Sequence, residues 1–200
     1  MSNHSKHPFE PYVPKNATKL IIGTIPPARF CQGNPEQLKD NDVCFYYGSQ
    51  DNAFWCLLTK VKNCNFSYSN NLESVEERKQ FLLKNNLGIV DVIKECDRVN
   101  NRADDASLQN IVLNESIKDI LKEHPSIDTL IYTSKIICKY INSGFADKSY
   151  HSWKIPNFVG SVIIGQKTYC VKVLYSPSPN ALRGVSKEKR LKRYKEVFGD

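Results

Sequence analysis

The chain has 200 residues, with 28 Lys and Arg against 21 Asp and Glu for a net charge of +7, and is 40% hydrophobic and 24% charged. That size and balance suit a single globular domain over residues 1–200 and exclude a long disordered chain. No run approaches the ~18–20 apolar residues of a membrane-spanning helix, and residues 1–14 are too polar for a secretory leader, so a cytoplasmic protein is expected.

Residues 1–16 read as an irregular lead-in punctuated by Pro8, Pro11 and Pro14. Leu20, Ile21 and Ile22 then form a short apolar run that enters Gly23-Thr24, the pattern of a buried strand followed by a turn. Residues 45–55 (Phe-Tyr-Tyr-Gly-Ser-Gln-Asp-Asn-Ala-Phe-Trp) place five aromatics around a polar turn. Adjacent tyrosines need partners for both hydroxyls, and an exposed tyrosine face is a stacking surface for a base. Asn52 is placed to cap a helix carrying Phe54, Leu57, Leu58 and Val61, and Ser74-x-x-Glu77 has the form of a capping box.

Residues 89–93 are a weaker strand, and Asn114 precedes a helix with Ile117, Ile120 and Leu121 on one face. Leu130-Ile131-Tyr132 is a third apolar run, with Thr133-Ser134 as N-cap of the next helix. Residues 171–174 form the last strand and feed Tyr175-Ser176-Pro177-Ser178-Pro179. Ser186 opens a basic helix over residues 186–198 with Leu191, Tyr194 and Phe198 inward and its cations outward. Residues 183–200 hold seven cations against Glu188, Glu196 and Asp200, more than half of the net charge. Such a patch suits a polyanionic partner, or else a solvated helix face.

Apolar strands alternating with amphipathic helices predict an α/β fold: a single three-layer α/β/α domain around a mainly parallel, about four-stranded central sheet. Ligands of such sheets bind beyond the carboxyl ends of the strands, here between the proline-stiffened loops at residues 24–27 and 175–179.

Several chemistries fail on residue types. No G-x-G-x-x-G, G-x-x-x-x-G-K-[ST] or G-x-S-x-G is present, and His4, His7, His124 and His151 are scattered outside any H-E-x-x-H or deaminase pattern. The seven cysteines have no metal-ligand spacing and read as reduced, mostly buried thiols. No metal site and no cofactor is expected.

Four segments taken together resemble the uracil-DNA glycosylase superfamily, most closely its hypoxanthine (deoxyinosine) glycosylases and next the mismatch-specific uracil/thymine glycosylases. Leu20-Ile21-Ile22-Gly23-Thr24-Ile25-Pro26-Pro27 is similar to the opening strand and turn. Residues 45–55 are similar to a tyrosine-rich stretch ending in Arg-Asn-Ala-Phe-Trp, and residues 88–98 to a Gly-(Ile/Leu)-x-Asp-Val segment followed by Cys-x-Arg. Residues 174–183 resemble the Ser-Pro loop that closes the site.

The resemblance implies a monofunctional, metal-independent DNA glycosylase of base excision repair, acting on a flipped-out hypoxanthine or uracil. Asn52 and Thr24 carry the catalytic roles, Asn52 by orienting water and the backbone of residues 23–25 by facing the leaving base. Ile25, Tyr46, Tyr47 and Asp91 would hold the base. Ser176, Ser178, Pro179, Asn180, Leu182 and Arg183 would grip DNA around the flipped nucleotide, with Lys187 and Arg190 adding phosphate contacts. The implied partner is damaged DNA, with no membrane, and the protein a monomer.

Departures from the pattern are Ile25 in place of an Asp or Asn, Pro27 in place of Gly, Gln50-Asp51 in place of Pro-Arg, and Ser176 in place of His or Asn. Ile25 at the place of the first-turn acid and Asp51 at the place of the Arg favour the alternative of a catalytically inactive nucleic-acid-binding protein of the same fold. A third reading is an enzyme acting on a free nucleoside or nucleotide.

Overall fold

The computed structural model describes residues 2–99, 107–152 and 159–199. Its strands are β1 (Ser2–Lys6), β2 (Lys19–Gly23), β3 (Leu87–Asp91), β4 (Ile93–Val99), β5 (Leu108–Leu113), β6 (Thr129–Tyr132), β7 (Lys148–Ser152), β8 (Val159–Ile164) and β9 (Lys167–Val173). The helices are α1 (Ala28–Cys31), α2 (Phe54–Lys62), α3 (Leu72–Lys84), α4 (Ser116–Glu123), α5 (Ile136–Gly144) and α6 (Lys187–Phe198).

The main sheet has the order β3-β2-β6-β9-β8-β7, parallel from β3 to β9 and antiparallel beyond. Six strands therefore replace the expected four. The four read from the sequence are the parallel ones; β2, β3 and β6 are buried on both faces and read as near-continuous apolar runs, whereas β9 alternates between buried and more exposed positions. The two extra strands form an antiparallel extension that ends in the polar edge strand β7, which carries no such run.

Alternation along the strands splits the core. Leu20, Ile22, Val90, Leu130 and Tyr132 face α4 and α5 on one side. Ile21, Leu87, Ile89 and Ile131 face α2, α3 and α6 on the other. The expected three layers are present, with the helices covering both faces of the sheet.

A second, antiparallel sheet of order β1-β4-β5 stands beside the first. Residues 2–6, expected to be irregular, thus form a strand on β4, and His7 N–H extends the pairing to the Lys94 carbonyl at 2.8 Å. Farther along the same segment, Tyr12 exchanges backbone bonds with Ile89.

Helix starts differ locally from the sequence expectation. Asn71, not Ser74, caps α3 by accepting from Ser74 N–H at 2.9 Å, and Ser74 is buried inside the first turn. Thr133 and Ser134 make no cap bond for α5. Ser186 does cap α6, accepting from Lys189 N–H.

In α6, Arg190 and Arg193 lie with Tyr194, Val197 and Phe198 on the buried face, which corrects the outward orientation expected for all its cations. Their guanidiniums reach backbone carbonyls, Arg193 Nε donating to Val173 O at 2.8 Å. Lys187, Lys189, Lys192 and Lys195 lie toward the solvent side of the helix. Of the seven cysteines only Cys96 and Cys138 are buried, so the expectation of mostly buried thiols fails. Cys56 illustrates why: it stands on the outward face of α2, between the buried Trp55 and Leu57. Among the described residues no helix is long and apolar enough to cross a membrane.

Candidate active site

The parallel strands β3, β2, β6 and β9 all end on one side of the sheet, at Asp91, Gly23, Tyr132 and Val173. The connection from β2 to β3 runs through α2 and α3 on one face, and β6 leads into α5 on the other, so a crevice opens between their exits. A cavity of about 400 Å³ occupies it. Both proline loops line this cavity, Thr24 to Pro27 from one side and Ser176 to Ala181 from the other. A backbone bond from Ala53 N–H to Pro177 O, 3.0 Å, ties the aromatic segment to the second loop.

The two tyrosines part company. Tyr46 is 1% exposed, packs against His7, Phe9 and Phe45, and donates to Phe9 O, so it stands behind the cavity rather than on its wall. That corrects its assignment to the base-holding surface; burial pushes its phenol well above the usual range. Tyr47 lines the cavity with its ring stacked on Phe54 at 4.4 Å and its hydroxyl 2.8 Å from Thr133 Oγ1.

Tyr47 adopts φ +55°, a left-handed backbone unfavourable for a bulky residue. The surrounding turn imposes it: Val43 N–H bonds Gly48 O, Gly48 N–H bonds Phe45 O, and a Cβ on Gly48 would lie 1.9 Å from Val43 O.

Asn52 lines the cavity just before α2, its Oδ1 accepting from Phe54 N–H at 2.9 Å. That bond orients the amide, placing one oxygen lone pair on the helix start and leaving Nδ2–H for the cavity. Asp91 also lines the cavity, with a side chain 7% exposed. Its Oδ2 meets His7 Nε2 at 2.9 Å, whereas its Oδ1 is buried without a hydrogen-bond partner.

Of the other predicted residues, Thr24, Ile25, Ser176, Ser178, Pro179 and Asn180 line the cavity, and Ser176 Oγ accepts from Ser178 N–H at 3.3 Å. Leu182 and Arg183 lie in the short 3₁₀ helix Pro179–Arg183, and their side chains fall outside the described residues. Lys187 is exposed at the start of α6. Arg190 is 2% exposed and donates inward to the carbonyls of Ser176, Ala181 and Val185. It braces the Ser-Pro loop from behind, so its assignment as a phosphate contact is corrected: a guanidinium committed to three carbonyls is turned away from any strand outside.

Arg29, Thr133 and Ser134, not among the residues expected at the site, also line the cavity. Thr133 and Ser134 come directly after a parallel strand, so the rule that ligands lie beyond strand ends pointed to them. Arg29 makes paired bonds to the fully buried Asp42 at 2.6 and 2.9 Å and reaches Ser49 Oγ at 2.7 Å. Burial alone would raise the Asp42 carboxyl, but donors from Arg29, Gln50 N–H and Lys39 N–H outweigh it and hold the group below the usual carboxylate range. The exposed Asp51 is neutralised by Lys39 at 2.6 Å and Arg29 at 3.4 Å. A cation from α1 thus stands beside the acid that departs from the family pattern. Among the described residues no group of three His, Cys, Asp or Glu side chains comes together as a metal would require.

No protein-family model matches the chain, and no curated protein matches its sequence. Among solved structures it is similar to the solution NMR structure of a candidate uracil DNA glycosylase from Methanosarcina acetivorans. The TM-score is 0.64 at 20% identity, over 100% of this chain and 98% of that one. The two chains share one fold.

Proposed function

We propose that this protein is a member of the uracil-DNA glycosylase superfamily that hydrolyses the N-glycosidic bond of a flipped-out deaminated base, hypoxanthine or uracil, in DNA. The observation that carries this reading is the cavity at the strand exits, walled by both proline loops, a stacked tyrosine, Asn52 and a buried carboxylate. The extruded base lies against Tyr47, whose ring is backed by Phe54. Asp91 Oδ1 accepts from the ring N–H that deamination creates in both hypoxanthine and uracil. As the bond breaks, the sugar gains oxocarbenium character and the base leaves with negative charge. Asn52 orients the attacking water. The carbonyls of Gly23 and Thr24 are occupied by Val92 and Ile93 N–H, which keeps those oxygens engaged away from the departing anion. Ser176, Ser178 and the adjoining amides hold the flanking phosphates. Among the described residues lining the cavity there is no lysine, so hydrolysis stops at an abasic site without a Schiff base.

An oligonucleotide panel tests this directly. Recombinant protein is expected to produce alkali-labile sites in duplexes containing one hypoxanthine or uracil, and no nick before alkali. Duplex binding without base release from any member of the panel would instead support the inactive DNA-binding reading, which Ile25 in the first turn favours.

The outer and buried cations of α6 are expected to behave differently. Changing Lys187, Lys189 and Lys192 to Gln should weaken duplex binding and flatten its salt dependence, by about 0.9 in log–log slope for each phosphate no longer neutralised, with an unchanged melting curve. Arg190→Gln should instead lower stability by about 1–3 kcal/mol, because carbonyls of the Ser-Pro loop lose their donor.

A further inference from the structure

Behind the cavity, the segment after β1 carries His7, whose side chain is 6% exposed. Its Nε2 lies 2.9 Å from Asp91 Oδ2, while Asp91 Oδ1 is buried and has no hydrogen-bond partner. Its Nδ1 meets the backbone of Phe9 twice, 3.2 Å from the N–H and 2.9 Å from the carbonyl oxygen. A neutral imidazole protonated on Nε2 accepts from Phe9 N–H, and an imidazolium donates to Phe9 O; in both forms Nε2–H donates to Asp91. Tyr46 and Phe9 enclose the ring at centroid distances of 5.3 and 5.7 Å. The same small sheet reaches the other side of the site, where Arg98, 1% exposed, bonds Ser5 Oγ at 3.1 Å and the Pro26 carbonyl at 2.6 Å.

We infer that His7 is the positioning residue of Asp91, fixing Oδ2 so that the unpartnered Oδ1 presents its lone pair to the base. This role rests on the glycosylase reading and gives a task to the N-terminal strand, which lies outside all four segments of the family resemblance. It also resolves an electrostatic conflict. A bare carboxylate that accepts from the base N–H pushes charge toward a leaving group already becoming anionic. Donation from His7 into Oδ2 draws part of that charge away, and Oδ1 keeps its acceptor role.

The test uses the full chain in single-turnover base release, with His7→Phe, His7→Gln, Asp91→Asn and the two His7 changes combined with Asp91→Asn. Glutamine places its Nε2 near the imidazole Nε2 and can donate to Asp91; phenylalanine fills the same space and cannot. His7→Phe is expected to slow release about 10- to 100-fold, with His7→Gln recovering most of the rate. On the Asp91→Asn background His7→Phe should cost little more. An equal loss in His7→Phe and His7→Gln, or a full additional loss on the Asp91→Asn background, would overturn the positioning role and leave only packing. A wild-type protein that releases no base defeats the glycosylase reading itself, whereas an active wild type with an unimpaired His7→Phe defeats this inference alone. Imidazole ¹⁵N NMR gives a readout apart from turnover: added free hypoxanthine should shift the His7 ring signals in the wild type and not in Asp91→Asn, and unmoved signals in the wild type would count against the coupling.

Discussion

Asn52→Ala is expected to slow base release by about 10²- to 10³-fold while the protein stays folded. Asn52 has two occupations that must be separated. Its Oδ1 accepts from Phe54 N–H at the start of α2, a bond whose loss costs about 1 kcal/mol of stability. A loss of that size lowers the melting temperature by only a few degrees in a chain of this length. In the proposed reaction the remaining amide hydrogens would hold a water against the developing sugar cation. An amide is no strong base, so on that reading its contribution is orientation, with the bond breaking ahead of attack. Asn52→Asp separates the two roles. A carboxylate oxygen can still accept from Phe54 N–H, so stability should return to near the wild-type value. The lost N–H donors should leave the rate below wild type, with the variant gaining a new dependence on carboxylate ionisation in the pH–rate profile. Single-turnover rates and thermal melts of the two variants check this; an Asn52→Ala protein within threefold of the wild-type rate would remove Asn52 from the chemistry.

Much of this site was legible in the sequence because buried parallel strands advertise themselves. Leu20-Ile21-Ile22 and Leu130-Ile131-Tyr132 are apolar on both faces, and Thr24 after the first and Thr133 after the second line the cavity. The first proline loop was legible for the same reason, since it succeeds a buried apolar run; the second follows the alternating strand β9 and was legible mainly from its prolines. The hidden features depend on partners distant in sequence. Tyr46 and Tyr47 are neighbours of one kind, and only the left-handed turn at Tyr47 sends one ring into the core and the other to the wall. Arg190 and Lys187 look alike in a basic helix and stand one turn apart, yet Lys187 is exposed at the helix start while Arg190 reaches the carbonyls of the loop packed against that turn. β1 is short and polar and exists because β4 offers an open edge, so His7 gave no local sign of lying 84 residues from its partner.

Gly23→Ala is expected to abolish base release, by about 10²-fold or more, and to do so through a single methyl group. A Cβ at Gly23 would lie 2.1 Å from Asp91 Oδ1 and 2.2 Å from the Tyr47 hydroxyl, far inside van der Waals contact. The glycine is needed for space alone: its φ is not in the left-handed region. Strands β2 and β3 are paired at this very position, Gly23 opposite Asp91, and neither backbone can retreat without breaking the ladder. The two side chains must therefore move, and both form the floor on which the base is proposed to rest. Overpacking of this kind costs about 1–3 kcal/mol, enough to lower the melting temperature by several degrees without unfolding the chain. The double variant Gly23→Ala/Tyr47→Phe removes one of the two colliding oxygens and should regain part of that stability. It should regain none of the activity, because Asp91 stays displaced. Thermal melts and single-turnover assays on the two proteins separate the steric loss from the chemical one. If Gly23→Ala still released base within tenfold of the wild-type rate, the floor formed by Asp91 and Tyr47 would not be where the base sits.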